Sequence, residues 1–200
     1  MVSVSSRAAG VSRRQARACR LGVLALGSAI AGSVPANGPP GTSTDAPPVV
    51  SAAPTCNLAD FRAELLRRVN ELRAAGADCG NQGNFAPTLP LAWSEALAKA
   101  AEGHSRDMGT QDYLEHVGRD GSTPAVRVDA QGYAWSMVAE NIAGGQPGIA
   151  EVMESWRRSP GHCANLMKPG LKEIGVACVR ASGTRYRLYW TMVLGAPPQL

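Results

Sequence analysis

Hydrophobic residues recur along much of this chain at spacings of three and four, which are typical of amphipathic helices. The first predicted helix begins near Asn57 and ends at Gly76. Its apolar face consists of Leu58, Phe61, Leu65, Val69 and Leu72. A second helix with the same spacing is predicted from Trp93 to Gly109. Each of these helices should therefore bury one face against a common core.

Serine or threonine followed by proline marks the beginning of two shorter helices. The hydroxyl group can cap a helix, and proline suits the first helical turn. Thr123-Pro124 predicts a helix that ends at Gly132, and Ser159-Pro160 predicts one that carries His162. A further helix is predicted from Pro147 onward.

Strands are predicted in the last third of the chain. Residues 138–143 form one β-like segment, and the alternating residues of 171–179 and 186–194 predict a hairpin around Ser182-Gly183. Because most helices precede the hairpin, this order favours an α+β fold in which helices pack on an antiparallel sheet.

The first 36 residues have a composition of their own. They contain five arginines and no acidic residue, followed by an apolar run over 21–31 and by the small residues of Val34-Pro35-Ala36. This pattern predicts a secretory signal peptide over 1–36, with an uncleaved anchor as the alternative. We therefore expect a secreted or periplasmic protein without a membrane span after cleavage.

The positive net charge of the chain comes from this N-terminal segment. The net charge is +4 overall, but without the five arginines 15 basic and 16 acidic residues remain. A nucleic-acid-binding domain is expected to keep a basic excess, so no nucleic-acid partner is predicted. The Pro/Ser/Thr-rich residues 37–55 predict a disordered linker, and the change of composition at Cys56 predicts a domain over 56–197.

Four cysteines remain after the predicted cleavage: Cys56, Cys79, Cys163 and Cys178. An even number in an exported chain indicates two disulfides. Three pairings are possible, and the shorter loops favour Cys56–Cys79 and Cys163–Cys178. A zinc site made of cysteines is disfavoured, because no C-x-x-C motif occurs.

The candidate chemistry rests on three histidines and one glutamate. His104 lies on a predicted helix, where we expect it to bond to a loop. His116 lies in a polar loop, and His162 is the third residue of a predicted helix whose dipole favours a neutral imidazole. Glu140 lies in an apolar strand and needs a partner, because burying an unpaired carboxylate is costly. Two interpretations stay open: one His-Glu-His cluster, or three separate structural residues.

Short motifs occur in a characteristic order between residues 104 and 176. They are His104-Ser-Arg-Asp-Met108, His116, Thr123-Pro-Ala-Val-Arg127, Gly132-Tyr133, Ala139-Glu-Asn-Ile-Ala143, Trp156, Ser159-Pro-Gly-His162, Asn165 and Gly175-Val176. This set resembles the CAP superfamily of cysteine-rich secretory, antigen 5 and pathogenesis-related 1 proteins, in its bacterial SCP-domain branch. The resemblance covers residues 57–196. It implies a three-layer α-β-α sandwich with a central antiparallel sheet of about three strands and a shallow cleft.

The resemblance also implies which residues line that cleft. His116 and His162 match the two histidines of the family, and Glu140 matches its first glutamate. Ser159 stands where the second glutamate is expected. The family has been linked to sterol and lipid binding. The resemblance therefore implies a secreted binding module whose cleft holds a divalent cation or a small, lipid-derived ligand. We expect a monomer, because the sequence contains no heptad pattern and no large apolar stripe.

Zinc is the cation that best suits two neutral imidazoles and one carboxylate, so we expect His116, His162, Glu140 and a water to coordinate Zn²⁺. We also expect the Ser159 hydroxyl to cap the helix that presents His162. Two other functions are compatible with the sequence. One is a metal-assisted, peptidase-like hydrolase, and the other is a structural or host-interaction domain with a vestigial cleft. A binding module is favoured over an enzyme, because Ser159 replaces the second carboxylate.

Overall fold

The computed structural model describes residues 3–6, 48–51 and 53–199. The helices within these ranges are α1 (Phe61–Ala75), α2 (Glu95–Gln111), α3 (Pro124–Ala130), α4 (Ile149–Arg158) and α5 (Pro160–Met167), with a 3₁₀ turn at Gly80–Gln82. The strands are β1 (Ser3–Ser6), β2 (Val49–Val50), β3 (Ala77–Asp78), β4 (Asn84–Phe85), β5 (Ala92–Trp93), β6 (Met137–Gly144), β7 (Glu173–Ser182) and β8 (Leu188–Ala196). All predicted helices and strands occur in the predicted order.

The centre of the fold is an antiparallel sheet of three long strands. β8 lies between β6 and β7, and the register pairs Val193 with Glu140 on one side and Met192 with Val176 on the other. Short strands extend this sheet: β1 pairs with β6, while β2 and β5 pair with β7, β5 in parallel. β3 and β4 form a separate two-stranded ribbon. The predicted α+β class is confirmed.

Alternate residues of the central strands bury two different helical layers. Trp190 and Met192 of β8 pack in a core with α1, α4 and α5, whereas Val193 packs in a core with α2 and α3. The sheet therefore lies between two layers of helices, as the expected sandwich requires. Within the described ranges, no helix is both long and apolar enough to cross a membrane.

The backbone of α2 lies directly on β7 at Gly175. A Cβ atom at this position would lie 2.0 Å from the amide nitrogen of Ala98. Only glycine permits such a close approach of a helix to a strand. This contact sets the height of α2 above the sheet and, with it, the position of His104 over β6.

Two helix boundaries differ from the predicted ones for local reasons. α1 begins at Phe61 rather than near Asn57, because Asn57 and Asp60 have left-handed backbone angles with φ of 58° and 47°. α2 continues past Gly109 to Gln111. A Cβ on Gly109 would lie 3.1 Å from the Cβ of Ala181, so this glycine permits close packing instead of ending the helix.

All four cysteines form disulfides, but the predicted pairing is wrong. The bonds are Cys56–Cys178 and Cys79–Cys163. The segment before α1 pairs with β7, where the amide of Cys56 donates to the carbonyl of Cys178. Cys79 follows β3 and meets α5 at Cys163. Spatial neighbours thus come from distant parts of the chain, and the short loops are not closed.

The N-terminal predictions lie mostly outside the described residues, including the cleavage site at Ala36 and residues 37–47. The described end of the predicted linker is not disordered, because Val49–Val50 pairs with β7 next to Ala181. Ser3–Ser6, within the predicted signal peptide, pairs with β6. Cleavage at Ala36 would therefore remove β1 from the sheet.

Arg73 is a charged residue that the helical pattern did not single out as buried. Its guanidinium is inaccessible to solvent, and it donates hydrogen bonds to the carbonyl oxygens of Leu89 at 2.7 Å and Leu166 at 2.6 Å. Leu166 lies in the last turn of α5. Arg73 therefore satisfies terminal carbonyls of the helix that carries His162 and holds this helix against α1.

Candidate functional site

Glu140 is the buried centre of the candidate site. Its side chain has no solvent exposure and lies on the α2 side of β6. One carboxylate oxygen accepts a hydrogen bond from Nδ1 of His116 at 2.8 Å, and the other accepts one from Nη2 of Arg127 at 2.8 Å. The expectation that Glu140 has a partner is confirmed, and both carboxylate oxygens are engaged.

Arg127 connects the strand, the loop and α3. α3 begins with Pro124 at its first turn, and the hydroxyl of Thr123 caps it by accepting from the amide of Val126. From this helix, Arg127 also donates to the carbonyl oxygens of His116 at 2.9 Å and Ser122 at 2.8 Å. The side chain thus fixes the α2–α3 loop while it balances the charge of Glu140.

This role of Arg127 was not predicted from the sequence, in which the residue stands out only as part of a family motif. The available signal was a lone acid in an apolar strand, which requires a cation somewhere in the fold. Periodicity does not identify which of the many arginines supplies that cation.

His104 lies on α2 behind His116 and is fully buried. Its Nε2 donates to the carbonyl oxygen of Glu115 at 2.9 Å, which confirms the expected helix-to-loop bond. The same nitrogen lies 3.9 Å from the carboxylate of Glu140. Burial lowers the pKa of His104, and this effect outweighs the nearby Glu140 carboxylate, which raises it. His104 is therefore neutral and positions the loop that carries His116.

His162 is positioned from the opposite face of β6. Asn141, next to Glu140, donates a hydrogen bond to the carbonyl oxygen of His162 at 3.1 Å. Asn165 of α5 donates to the side chain of Asn141 at 2.9 Å and to the carbonyl of Glu140 at 3.1 Å. Consecutive residues of a strand point to opposite faces. Glu140 therefore bonds to the side chain of His116 on one face of β6, while Asn141 bonds to the backbone of His162 on the other.

The two histidines line one open cleft of about 530 Å³. Its lining consists of Leu114, Glu115, His116, Val117, Ile142 and His162. Three of these side chains are apolar, two are imidazoles and one is a carboxylate. Glu140 and Ser159 do not belong to this lining, since Glu140 lies buried behind His116. Glu115, which was not among the predicted site residues, contributes the carboxylate of the cleft.

His162 is neutral at physiological pH. Burial lowers its pKa to about 4, and the nearby His116 ring adds to this effect. From the sequence, a neutral His162 was expected because of the helix dipole. Desolvation is the main physical cause, since it penalises the charged imidazolium.

We expect the stability of the protein to fall as the pH falls from about 6.5 to 4, in part because of His162. The unfolded state binds a proton near pH 6.5 and the folded state only near pH 4, so acid favours unfolding across this window. Allowing for solvent screening of a half-buried group, the contribution is about 1–2 kcal/mol. Urea unfolding at pH 7 and pH 4.5 measures it. The His162→Gln variant should show a smaller loss than the wild type, and an equal loss would contradict this assignment.

A zinc centre of His116, His162 and Glu140 does not fit this geometry. Both oxygens of Glu140 already accept hydrogen bonds, from His116 and Arg127. Across the described part of the chain, no group of three or more His, Cys, Asp or Glu side chains is arranged to hold a metal ion. Glu140 orients His116 instead of facing the cleft. Hydrolysis with Glu140 as the general base is disfavoured for the same reason.

Ser159 differs from its expected role as well. It precedes α5, but its hydroxyl makes no capping hydrogen bond. Its carbonyl oxygen accepts from the amide of Cys163 at 2.8 Å, so only its backbone supports the helix. Glu154 does not replace the missing family glutamate, because it forms exposed ion pairs with Arg157 and Arg158.

Two relatives from Bacillus subtilis share part of the sequence. The uncharacterised protein YkwD is 34% identical over 92 residues, which are 46% of this chain and 36% of that protein. The uncharacterised membrane protein YlbC is 29% identical over 90 residues, which are 45% of this chain and 26% of that protein. The chain thus spans well under half the length of either relative.

Two solved structures share the fold. An extracellular protein containing an SCP domain from Bacillus anthracis matches 67% of this chain and 39% of its own, with a TM-score of 0.55 and 23% identity. An outer surface protein from Borrelia burgdorferi matches 68% of this chain and 92% of its own, with a TM-score of 0.57 and 19% identity. At these identities the likeness concerns the fold.

The family comparison covers the whole candidate site. The family model described as the cysteine-rich secretory protein family, CAP, matches residues 66–194. This range includes α2 to α5, most of the three long strands and every residue of the cleft. The chain therefore belongs to the cysteine-rich secretory protein family.

Proposed function

We propose that this chain is an exported binding domain whose cleft takes a small ligand with an apolar body and one polar group. The observation that carries the proposal is the shared cleft of His116 and His162. These residues come from opposite helical layers and meet beside the apolar side chains of Leu114, Val117 and Ile142. A pocket of mostly apolar walls with a few convergent polar groups is typical of small-molecule sites.

The two imidazoles favour a hydroxyl or carboxyl group on the ligand. Nδ1 of His116 donates to Glu140, so in the neutral ring the lone pair lies on Nε2. His162 is neutral because of burial and offers one donor and one acceptor nitrogen. A lipid-derived alcohol or acid satisfies these groups while its chain contacts the apolar walls.

Two observations support export. Both disulfides are typical of proteins in oxidising compartments. The two structural neighbours are an extracellular protein and an outer surface protein. The predicted signal peptide agrees with both.

Binding of dansyl-labelled undecanoic acid to the full chain tests the proposal by fluorescence titration. Val117, which is 48% exposed, lines the cleft, so Val117→Ser should weaken binding about fivefold without disturbing the core. His162→Gln should weaken it by a similar factor. Leu89→Ser is the matched control, because Leu89 is 78% exposed and lies outside the cleft lining. Absence of saturable binding, or equal affinity of Val117→Ser and the wild type, would overturn the proposal.

A divalent cation held by the two imidazoles is a second candidate. The observation in its favour is the hydrogen bond from His116 to Glu140, because histidines that bind metals commonly donate their other nitrogen to a carboxylate. Calorimetric titration with zinc chloride tests it. Zinc binding that is lost in both His116→Ala and His162→Ala would support this candidate, and zinc binding unchanged in both would exclude it.

A further inference from the structure

A second cavity, of about 280 Å³, lies against α2, α3 and the loop between them. It is lined in part by His104, Asp107, Asp120, Ser122, Val126 and Arg127. It shares no lining residue with the cleft that contains His116 and His162. From its polar groups we infer that this second cavity is a separate binding site for a small, neutral, hydroxyl-bearing molecule such as a sugar ring.

Two buried polar atoms of the lining residues lack hydrogen-bond partners among the described residues. They are Nδ1 of His104 and Nε of Arg127. His104 is fully buried, and its Nε2 donates to the carbonyl of Glu115, so Nδ1 of the neutral ring is an acceptor. Nε of Arg127 carries a hydrogen and is a donor. Buried polar groups are almost always hydrogen-bonded, so this acceptor and this donor indicate that a molecule binds in the cavity and bonds to both.

Two carboxylates, together with the side chain of Ser122, form the rest of the polar lining. Asp120 accepts a hydrogen bond from the amide of Ser122 at 2.8 Å, and Asp107 accepts one from the hydroxyl of Tyr113. A Cβ on Gly118 would lie 2.6 Å from an oxygen of Asp120 and 3.5 Å from an oxygen of Asp107. The loop thus brings carboxylate oxygens of α2 and of residue 120 around one glycine.

These polar groups determine which class of molecule can bind in the second cavity. Asp107 and Asp120 repel anions, whereas the N–H group at Nε of Arg127 is a hydrogen-bond donor that a cation cannot satisfy. The bound molecule must accept a hydrogen bond from Arg127 and donate hydrogen bonds to His104 and to the carboxylates. A hydroxyl group does both. A molecule with several hydroxyl groups therefore satisfies the second cavity better than an ion does.

D-Glucose is the probe for this site. It is titrated up to about 100 mM into the ¹⁵N-labelled full-length protein, and binding is followed by NMR. Weak, millimolar binding is expected for a small neutral ligand. We expect saturable shifts at the amides of Gly103, Gly118 and Ser122. The cleft amides of Leu114 and Ile142 should not shift. Asp120→Ala should weaken binding at least about fivefold, since it removes one acceptor from an exposed loop residue. Glu71→Gln is the control, because Glu71 is an exposed acid of α1 far from the cavity lining.

Three outcomes would overturn the inference. Calcium chloride that shifts these amides while glucose does not would identify a cation site. The absence of shifts with either probe would leave a cavity that holds ordered water only. Glucose shifts at Leu114 and Ile142 alone would assign the sugar to the cleft. Since the dansyl-labelled acid reports only on the cleft, failure of one site is distinguishable from failure of the other.

Discussion

Replacing Cys56 and Cys178 by alanine is expected to lower the free energy of unfolding by about 4 kcal/mol. The disulfide joins residues that are 122 positions apart, so its loss gives the unfolded chain a large gain in conformational entropy. Both cysteines are buried, at 2% and 0% exposure. Urea unfolding of the full chain measures the effect, in a Cys19→Ser background that excludes exchange with the remaining thiol.

The Cys79–Cys163 bond provides the matched comparison. Its separation of 84 residues predicts a similar loss of stability, but this bond fastens α5 next to His162. Under native conditions, the alanine pair at 79 and 163 should weaken binding of the dansyl-labelled acid, whereas the pair at 56 and 178 should not. Losses below about 1 kcal/mol for both pairs, or a Cys56–Cys79 peptide in non-reducing mapping, would contradict the observed connectivity.

Replacing Glu140 by glutamine is expected to lower the free energy of unfolding by about 3 kcal/mol. The substitution keeps the shape of the side chain but removes the negative charge that balances Arg127. Glu140 is fully buried and the Arg127 side chain is 11% exposed, so the guanidinium would be left largely desolvated without its counterion. Removal of one partner of a buried ion pair costs far more than removal of an exposed one.

A double-mutant cycle separates this pair from general damage to the core. Arg127→Met alone should also be destabilising, because it leaves the buried carboxylate of Glu140 without its guanidinium while the hydrogen bond from His116 stays in place. The double variant should cost at least about 1 kcal/mol less than the sum of the single variants, owing to the coupling between them. Glu154→Gln serves as the surface control and should leave the free energy of unfolding nearly unchanged, because its ion pairs with Arg157 and Arg158 are exposed. Additive effects at Glu140 and Arg127 would refute the ion pair as the source of the loss.

Much of the secondary structure followed from short stretches of sequence. Helix α3 is an example, because Thr123 and Pro124 specify its start within two adjacent residues. The hairpin of β7 and β8 is another, since alternating residues and the turn near Gly183 are local signals. The ordered family motifs added the cleft histidines, although His116 and His162 are far apart in sequence. Such features can be predicted from the sequence, because each depends on local backbone preferences or on family motifs that occur in a fixed order.

The partners of the cysteines and of Glu140 were determined only by the tertiary structure. The disulfides join Cys56 to β7 and Cys79 to α5, and no local loop length indicates this. Glu140 was expected to be a cleft ligand, but the packing of α3 brings Arg127 to it and buries it behind His116. Sequence determined that this acid needs a partner, since an unpaired charge is costly in the core. Only the packing of distant elements determined which partner it has, because side-chain contacts depend on how helices and strands lie together in space.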